Sequence, residues 1–350
     1  MKDKQEYYMK DERLSARARA HRSKHACVAL LSALLAVTSH NAAAASAAAA
    51  DKAYPVKPVR VVVPYAPGGG TDVLARLVAA KLTEAWGQSV IVDNRPGGAT
   101  VIGAETVARA PADGYTLLIG TPTHVVNATL LPKLPFDPVR DFEPITLLST
   151  SPNIFVVHPS LPVRTTKQFL ALAKAKPGQI TYGSSGNGGT GHLSMEMIKQ
   201  MSGIKAIHVP YKGGGPAINA VLSGEVSALI NNMVPTVQHV KAGRLRALAV
   251  TSKTRSKVVP DVPTLDESGL PGFDAVAWFG LFAPANTPAA IVEKLNSDFA
   301  KSVRLPEVRK VLESQGGEPS GSSAKEFAQI VRADLDKWRK VLTAAPVARD

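Results

Sequence analysis

Three segments of this chain place glycines and small polar residues directly after a strand-like run and before a helix-like one. They are Pro67-Gly68-Gly69-Gly70-Thr71-Asp72, Gly186-Asn187-Gly188-Gly189-Thr190-Gly191 and Tyr211-Lys212-Gly213-Gly214-Gly215-Pro216. Without a Cβ, glycine lets the backbone turn sharply and bring its N–H groups close to a bound group. A helix N-terminus adds about 0.3–1 kcal/mol, up to ~2, for a negative charge in a partly buried geometry. The chemistry on offer is the holding of an anion, with Ser184, Ser185, Asn187 and Thr190 adding hydroxyls and an amide. Each loop also reads as a plain turn into a capped helix. Lys212 is equally a cation for an acidic ligand and a solvated lysine. Asn231-Asn232, ending a further strand, either contact a ligand or satisfy a turn.

Competing chemistries lack essential parts. No Gly-Lys-Ser/Thr follows the first glycine loop, so it is not a P-loop and ATP binding is not expected. Gly186–Gly191 matches G-x-G-x-x-G, but a dinucleotide site needs an acid about 20 residues on. The next strand instead ends His208-Val209-Pro210-Tyr211-Lys212. Gly183-Ser184-Ser185-Gly186 is one residue short of a G-x-S-x-G nucleophile elbow. His192 lies close to those serines in sequence, yet in the first turn of a helix, where packing or capping suits it as well as catalysis. No paired carboxylates stand in loops suited to acid–base work. No catalytic residue, metal ligand or cofactor is therefore expected.

The elements that must position these loops follow from apolar periodicity. Val59–Val63 reads as a buried strand, with a helix after the first glycine loop carried by Val73, Leu74, Leu77, Val78 and Leu82. Ser89–Val92 is a second strand, Thr100–Ala110 a second helix, and Tyr115–Ile119 a third strand ending in Gly120-Thr121-Pro122-Thr123. This βαβαβ rhythm implies a parallel, doubly wound sheet. A long extended segment, Ile145–His158, opens a second series. Its helices are Thr165–Lys176, His192–Met201, Ala217–Ser223 and Thr236–Ala242, and its strands Ile180–Gly183, Ala206–Val209, Val226–Ile230 and Leu245–Val250. A second extended segment, Ala275–Ala283, precedes a helical stretch Thr287–Gln315 interrupted at Pro306, and Ala324–Leu342 closes the chain as an amphipathic helix. Two extended segments flanking a middle βα series imply a discontinuous first domain, an inserted second one and a cleft between them.

The chain has 350 residues, a formal charge of +13 and one cysteine. Residues 1–25 carry eight Lys/Arg against four acids, and residues 26–50 carry no charge. A basic flank, the short apolar run Ala26–Val37 and an alanine-rich stretch make residues 1–50 a secretory signal peptide, cleaved near Ala50. The run is short of the roughly 20 apolar residues that a membrane span needs. The absence of an Arg-Arg pair disfavours the twin-arginine route. What remains has 33 Lys/Arg and 24 Asp/Glu, a net +9, with no cysteine and five histidines. A cysteine nucleophile and a structural zinc site are excluded. The basic residues are scattered among acids rather than clustered, and aromatics make up only 5% of the chain, so no nucleic-acid partner is expected.

Taken together, several segments carry a resemblance. YPVKPVRVVVPYAPGGGTDVLAR (54–76), VDNRPGG (92–98), ADGYTLLIGTPT (112–123), LPFDPVRDFEPITLL (134–148), TYGSSGNGGTGHL (181–193), HVPYKGGGPAI (208–218), KAGRLRALAVTS (241–252), DVPTLDESGLPGF (261–273) and WFGLFAPANTP (278–288) occur in this order. In them the chain resembles the Bug-type extracytoplasmic solute-binding receptors of tripartite tricarboxylate transporters, from Tyr54 to about Trp338. The resemblance implies an α/β, two-lobed periplasmic binding protein of the type II-like kind, with doubly wound sheets and two crossover strands as hinge. Residues 51–151 plus 281–350 would form the first lobe and 152–280 the inserted second. It further implies a periplasmic monomer that holds a small organic anion and delivers it to a membrane permease. The anion would be a di- or tricarboxylate, an aromatic acid or an acidic amino acid. Carried over by motif, the ligand contacts would be Gly69, Gly70, Thr71, Asp72, Thr121 and Thr123 from the first lobe. From the second would come Ser184, Ser185, Asn187, Gly188, Thr190, His192, Tyr211 and Asn232.

The chain departs from the family pattern at two places. Where the family commonly reads Arg-Pro-Gly-Ala-Gly-Gly, this chain has Arg95-Pro96-Gly97-Gly98-Ala99-Thr100. Where an acid often precedes the asparagine after the Val226–Ile230 strand, this chain has Asn231. If that position faces the cleft, loss of the acid eases a second ligand carboxylate or removes a partner for an ammonium. Two other classes are consistent with the same cleft: a receptor presenting its liganded form to a signalling partner, and a secreted α/β enzyme.

Overall fold

The computed structural model describes residues 54–131 and 133–344; the signal peptide expected at residues 1–50 lies outside the described residues. Strand β1 (Val59–Val63) is the VRVVV run, almost wholly buried, as expected of a parallel strand covered on both faces. It pairs in parallel with β2 (Val90–Asn94) on one side and β3 (Thr116–Gly120) on the other. Helices α1 (Gly70–Trp86) and α2 (Val101–Ala108) connect them, and α3 (Pro122–Leu130) follows β3. From sequence, Gly120-Thr121-Pro122-Thr123 reads as the end of the third strand, yet helix α3 starts within it. Pro122 occupies its first position, where the missing N–H and fixed φ suit a helix start. Buried His124 and Asn127 interrupt its apolar face, which is why no periodic signal marks it.

Strand β4 (Phe142–Val157) has 16 residues. At about 3.3 Å per residue it is roughly 50 Å long, enough to serve two sheet halves. From Phe142 to Pro152 it pairs antiparallel with β9 (Val276–Pro284), which also pairs with β3. From Asn153 to Val157 its partner is β7 (Ala228–Asn232), again antiparallel, and β8 (Arg246–Val250) pairs with Ile154–Val157. Strands β5 (Ile180–Ser184) and β6 (Ala206–Pro210) complete the second half in parallel register with β7. The resulting order is β2-β1-β3-β9-β4-β7-β5-β6, with β8 and the two-residue β10 (Glu318–Pro319) also on β4. The two extended segments foreseen from sequence are β4 and β9. Only β4 runs through both halves: β9 begins at Val276, and the preceding Ala275 N–H donates to the Thr251 carbonyl at 2.9 Å.

The second half is covered by α4 (Thr166–Ala175), α5 (Thr190–Ser202), α6 (Gly214–Ser223) and α7 (Met233–Lys241). One core packs Phe155, Phe169, Tyr182 and Ile198; another packs Ile154, Val221, Leu229 and Val237. Alternate residues of β4 thus feed opposite faces. The first half is closed by α8 (Ala289–Arg304), α9 (Pro306–Ser314) and α10 (Ala324–Ala344), with the predicted break at Pro306. Its core gathers Val62, Leu118, Phe142, Phe282 and Phe327. Val126 of α3, Leu193 of α5 and Trp338 and Leu342 of α10 form a small cluster that ties the two halves together.

Candidate functional site

The carboxyl ends of β1, β3, β5, β6 and β7 converge, and the loops leaving them enclose two chambers that share Tyr65, Thr123 and Ser185 as wall. The smaller, about 40 Å³, is lined by Gly69, Gly70 and Thr71 from the start of α1 and by Thr121 after β3. Asn153 of β4, Thr190 at the start of α5, and Asn231 and Asn232 at the end of β7 close it. Asn153 sits where β4 passes from one half of the sheet to the other, in register with Asn232. The larger chamber, about 230 Å³, is bounded by Gly97–Thr100, Asn187, Tyr211 and Lys212.

Hydroxyls and amides supply most of the polar side chains on both walls. The buried Tyr65 hydroxyl donates to Thr123 Oγ1 at 3.1 Å and lies 2.7 Å from Thr121 Oγ1, fixing both threonines. Burial pushes its phenol pKa up, which keeps it a neutral donor. Asn232 caps α7 through its Oδ1, which accepts from Val234 N–H at 3.1 Å. That leaves its Nδ2, and the Nδ2 of the buried Asn153, as donors without a protein acceptor among the described residues. Asn187 Oδ1 is likewise unpartnered. Asn231, whose Nδ2 donates to Thr236 Oγ1 at 3.1 Å, faces the smaller chamber. Among the described residues no aspartate or glutamate lines either chamber, and Lys212 is the charged residue on the larger one.

Of the residues singled out from sequence, Gly69, Gly70, Thr71, Thr121, Thr123, Ser185, Asn187, Thr190, Tyr211 and Asn232 line one chamber or both. Asp72, Ser184, Gly188 and His192 stand behind the wall and hold it. Asp72 accepts from the Gly68 N–H and from Asn94 Nδ2, both at 3.0 Å, and pairs with Arg76 at 3.0 Å. Burial alone would raise the Asp72 carboxyl; the Arg76, Gly68 and Asn94 hydrogen bonds outweigh it and hold the pKa below the usual carboxylate range. Ser184 Oγ accepts from Gly186 N–H at 3.1 Å and lies 2.7 Å from His208 Nε2. The His208 ring stacks on His192 at 3.9 Å, and His192 Nδ1 accepts from Gly188 N–H at 3.1 Å. Burial, with Lys199 adding to it, lowers the His192 pKa to about 4, so the ring is a neutral acceptor. Gly188, at φ +71°, holds a backbone conformation that side chains rarely adopt, and a Cβ there would lie 2.8 Å from Leu130 Cδ1, which would have to shift.

Tyr65, Thr100 and Asn153 belong to the walls and were not among the residues picked from sequence. Asn153 did carry a signal, a lone amide within the apolar run Ile154–Val157 and its flank. The glycine loops also touch one another. The Ala66 N–H donates to the Lys212 carbonyl at 2.8 Å, and a Cβ on Gly69 would lie 3.4 Å from Gly214 N. Among the described residues no group of three or more His, Cys, Asp or Glu is placed to hold a metal, and no helix is long and apolar enough to cross a membrane.

A mixed sheet in two halves, joined through one long strand and enclosing a polar cleft at its strand ends, defines the class as a periplasmic binding protein fold. The chain belongs to the tripartite tricarboxylate transporter family receptors, whose family model (TctC) matches residues 74–346. It is 34% identical over 314 residues to the protein BugT of Bordetella pertussis, covering 89% of this chain and 96% of BugT. An R. palustris protein solved with adipate superposes with TM-score 0.82 at 38% identity, covering 84% of this chain and 99% of that one. MatC from Rhodopseudomonas palustris with bound malate does so with TM-score 0.79 at 33% identity, covering 83% and 100%. The Bug-type family read from the motifs is thus the family found, and it is a family of periplasmic solute receptors.

Proposed function

We propose that this chain captures a small carboxylate lacking an ammonium group and passes it to the permease of a tripartite tricarboxylate-type transporter. The observation that carries the reading is the character of the cleft: donors at Asn153, Asn232 and Thr71, hydroxyls at Thr121, Thr123 and Ser185, and no acid on either wall. Charge-assisted hydrogen bonds from such donors suit a carboxylate. A ligand ammonium would enter without a counter-charge, a costly burial. Asn231 lines the smaller chamber and offers a neutral amide there rather than a counter-charge. Relatives solved with adipate and with malate support the same ligand class.

The smaller chamber takes the head carboxylate and the larger one the remainder of the ligand. The lobes are residues 51–151 plus 281–350 and residues 152–280, except that Val276–Gly280, which pair with the first part of β4, go with the first lobe; they close over the ligand about β4 and the segment entering β9. Residues 1–50 direct export by the Sec route, and the cleaved protein acts in the periplasm as a monomer. It binds without turnover: Ser184, whose Oγ lies 2.7 Å from His208 Nε2, is fully buried behind the wall. A thermal-shift screen of dicarboxylates, tricarboxylates, aromatic acids, acidic amino acids and neutral sugars tests this. Dicarboxylates at 100-fold excess over Kd should stabilise the fold by about 2.7 kcal/mol. A shift from sugars alone would contradict the reading.

A further inference from the structure

Gly97, Gly98, Ala99 and Thr100 form a tight turn on the wall of the larger chamber, with φ of 121°, 56°, 51° and 77°. Glycine adopts such angles readily, whereas a residue with a Cβ is crowded there and a β-branched one most of all. The strained backbone is held in place: Asn127 Nδ2, on buried α3, donates to the Ala99 carbonyl at 2.6 Å and reaches Thr100 Oγ1 at 3.4 Å. A fixed left-handed threonine facing a cleft, at positions where glycine would be easier, is the kind of outlier that marks a functional constraint.

We propose that Thr100 is a ligand-contacting, selectivity-setting residue, its hydroxyl donating to an acceptor on the part of the ligand held in the larger chamber. Thr100 is buried and lines that chamber, and its Oγ1 accepts from Asn127 Nδ2. Among the described residues the Thr100 hydroxyl donates no hydrogen bond, which leaves its proton for a ligand acceptor. Asn127 keeps its main anchor on the Ala99 carbonyl whether or not the hydroxyl is present, so the two roles can be separated. The proposal rests on the carboxylate-receptor reading above.

The test is calorimetric titration with adipate and with malate of wild type, T100V, T100S and T100A, each alongside a thermal melt. T100V keeps the branched shape and the backbone crowding but removes the hydroxyl, and T100S keeps the hydroxyl. T100A removes the hydroxyl while easing the crowding, so it carries the test should T100V not fold. T100V and T100A should bind at least tenfold more weakly than wild type, with T100S within threefold. Wild-type affinity in T100V or T100A overturns the proposal, and so does equal weakening in T100S. If wild type takes up no carboxylate at all, the functional reading fails and this proposal with it; wild-type binding unchanged in the hydroxyl-free variants removes this proposal alone.

Discussion

The Ala66 N–H donates to the Lys212 carbonyl at 2.8 Å, tying the loop after β1 to the loop after β6 across the cleft. Around this bond the two glycine triplets pack backbone on backbone. A Cβ on Gly215 would lie 2.6 Å from the Pro67 carbonyl oxygen and 3.4 Å from the Gly68 carbonyl carbon. The glycines thus permit close approach of one loop to the other as well as to a ligand. A G215A variant should fold normally, since its φ is one that any residue adopts, yet close poorly. Ligand affinity should fall about tenfold, roughly 1.4 kcal/mol, with the circular dichroism spectrum unchanged. Small-angle scattering with saturating ligand should show a more open particle than wild type; identical scattering and affinity would remove the clasp from the account.

Asn153 tests the smaller chamber. Its Nδ2 is a buried donor without a protein acceptor among the described residues, at the register position opposite Asn232. N153A should weaken carboxylate binding by about 1–3 kcal/mol, the usual loss when one buried hydrogen bond to a charged group goes. Isothermal titration reads the change directly, and an unaltered Kd would move the ligand's head group elsewhere.

Stability should fall on mild acidification. His124 is buried among Phe136, Phe142 and Phe282, with Nε2 donating to the Pro138 carbonyl at 2.9 Å. Burial lowers its pKa from 6.5 to about 4, only partly opposed by that carbonyl. The unfolded chain therefore binds the proton first as pH drops. The neutral ring's stabilisation is complete above pH 6.5 and is lost progressively between 6.5 and about 4. The amount is about 3 kcal/mol, from a shift of that size at 1.36 kcal/mol per unit. His192 shifts in the same direction and adds to the slope. Chemical denaturation from pH 7.5 to 4.5 should show this loss, and H124F, which fits the aromatic box but cannot titrate, should show a shallower one. Equal slopes would contradict the assignment.

Much of this was legible from residue order. The VRVVV run, the glycine loop and the period of Val73–Leu82 located β1, its turn and α1 because each local signal agrees with the fold. The long run around Ile154 announced a strand with both faces covered. The role of the glycines was only half legible. A glycine that admits a ligand and one that admits another backbone look alike in sequence, since both need only the missing Cβ. Asp72 and His192 are ligand contacts only by the family motif, but what places them behind the wall is pairing with Arg76, Asn94 and Gly188, set by tertiary contacts. Tyr65 could not be found at all: its hydroxyl acts through Thr121 and Thr123, and nothing local ties them together.

The central claim is that the cleft takes a carboxylate and has no place for an ammonium. Isothermal titration of the protein lacking residues 1–50 with adipate, malate, aspartate and glucose measures it most directly. A Kd near micromolar, about −8 kcal/mol, is expected for at least one of the two dicarboxylates, with aspartate at least tenfold weaker and glucose silent. Tight binding of aspartate or glucose with neither dicarboxylate bound would contradict it.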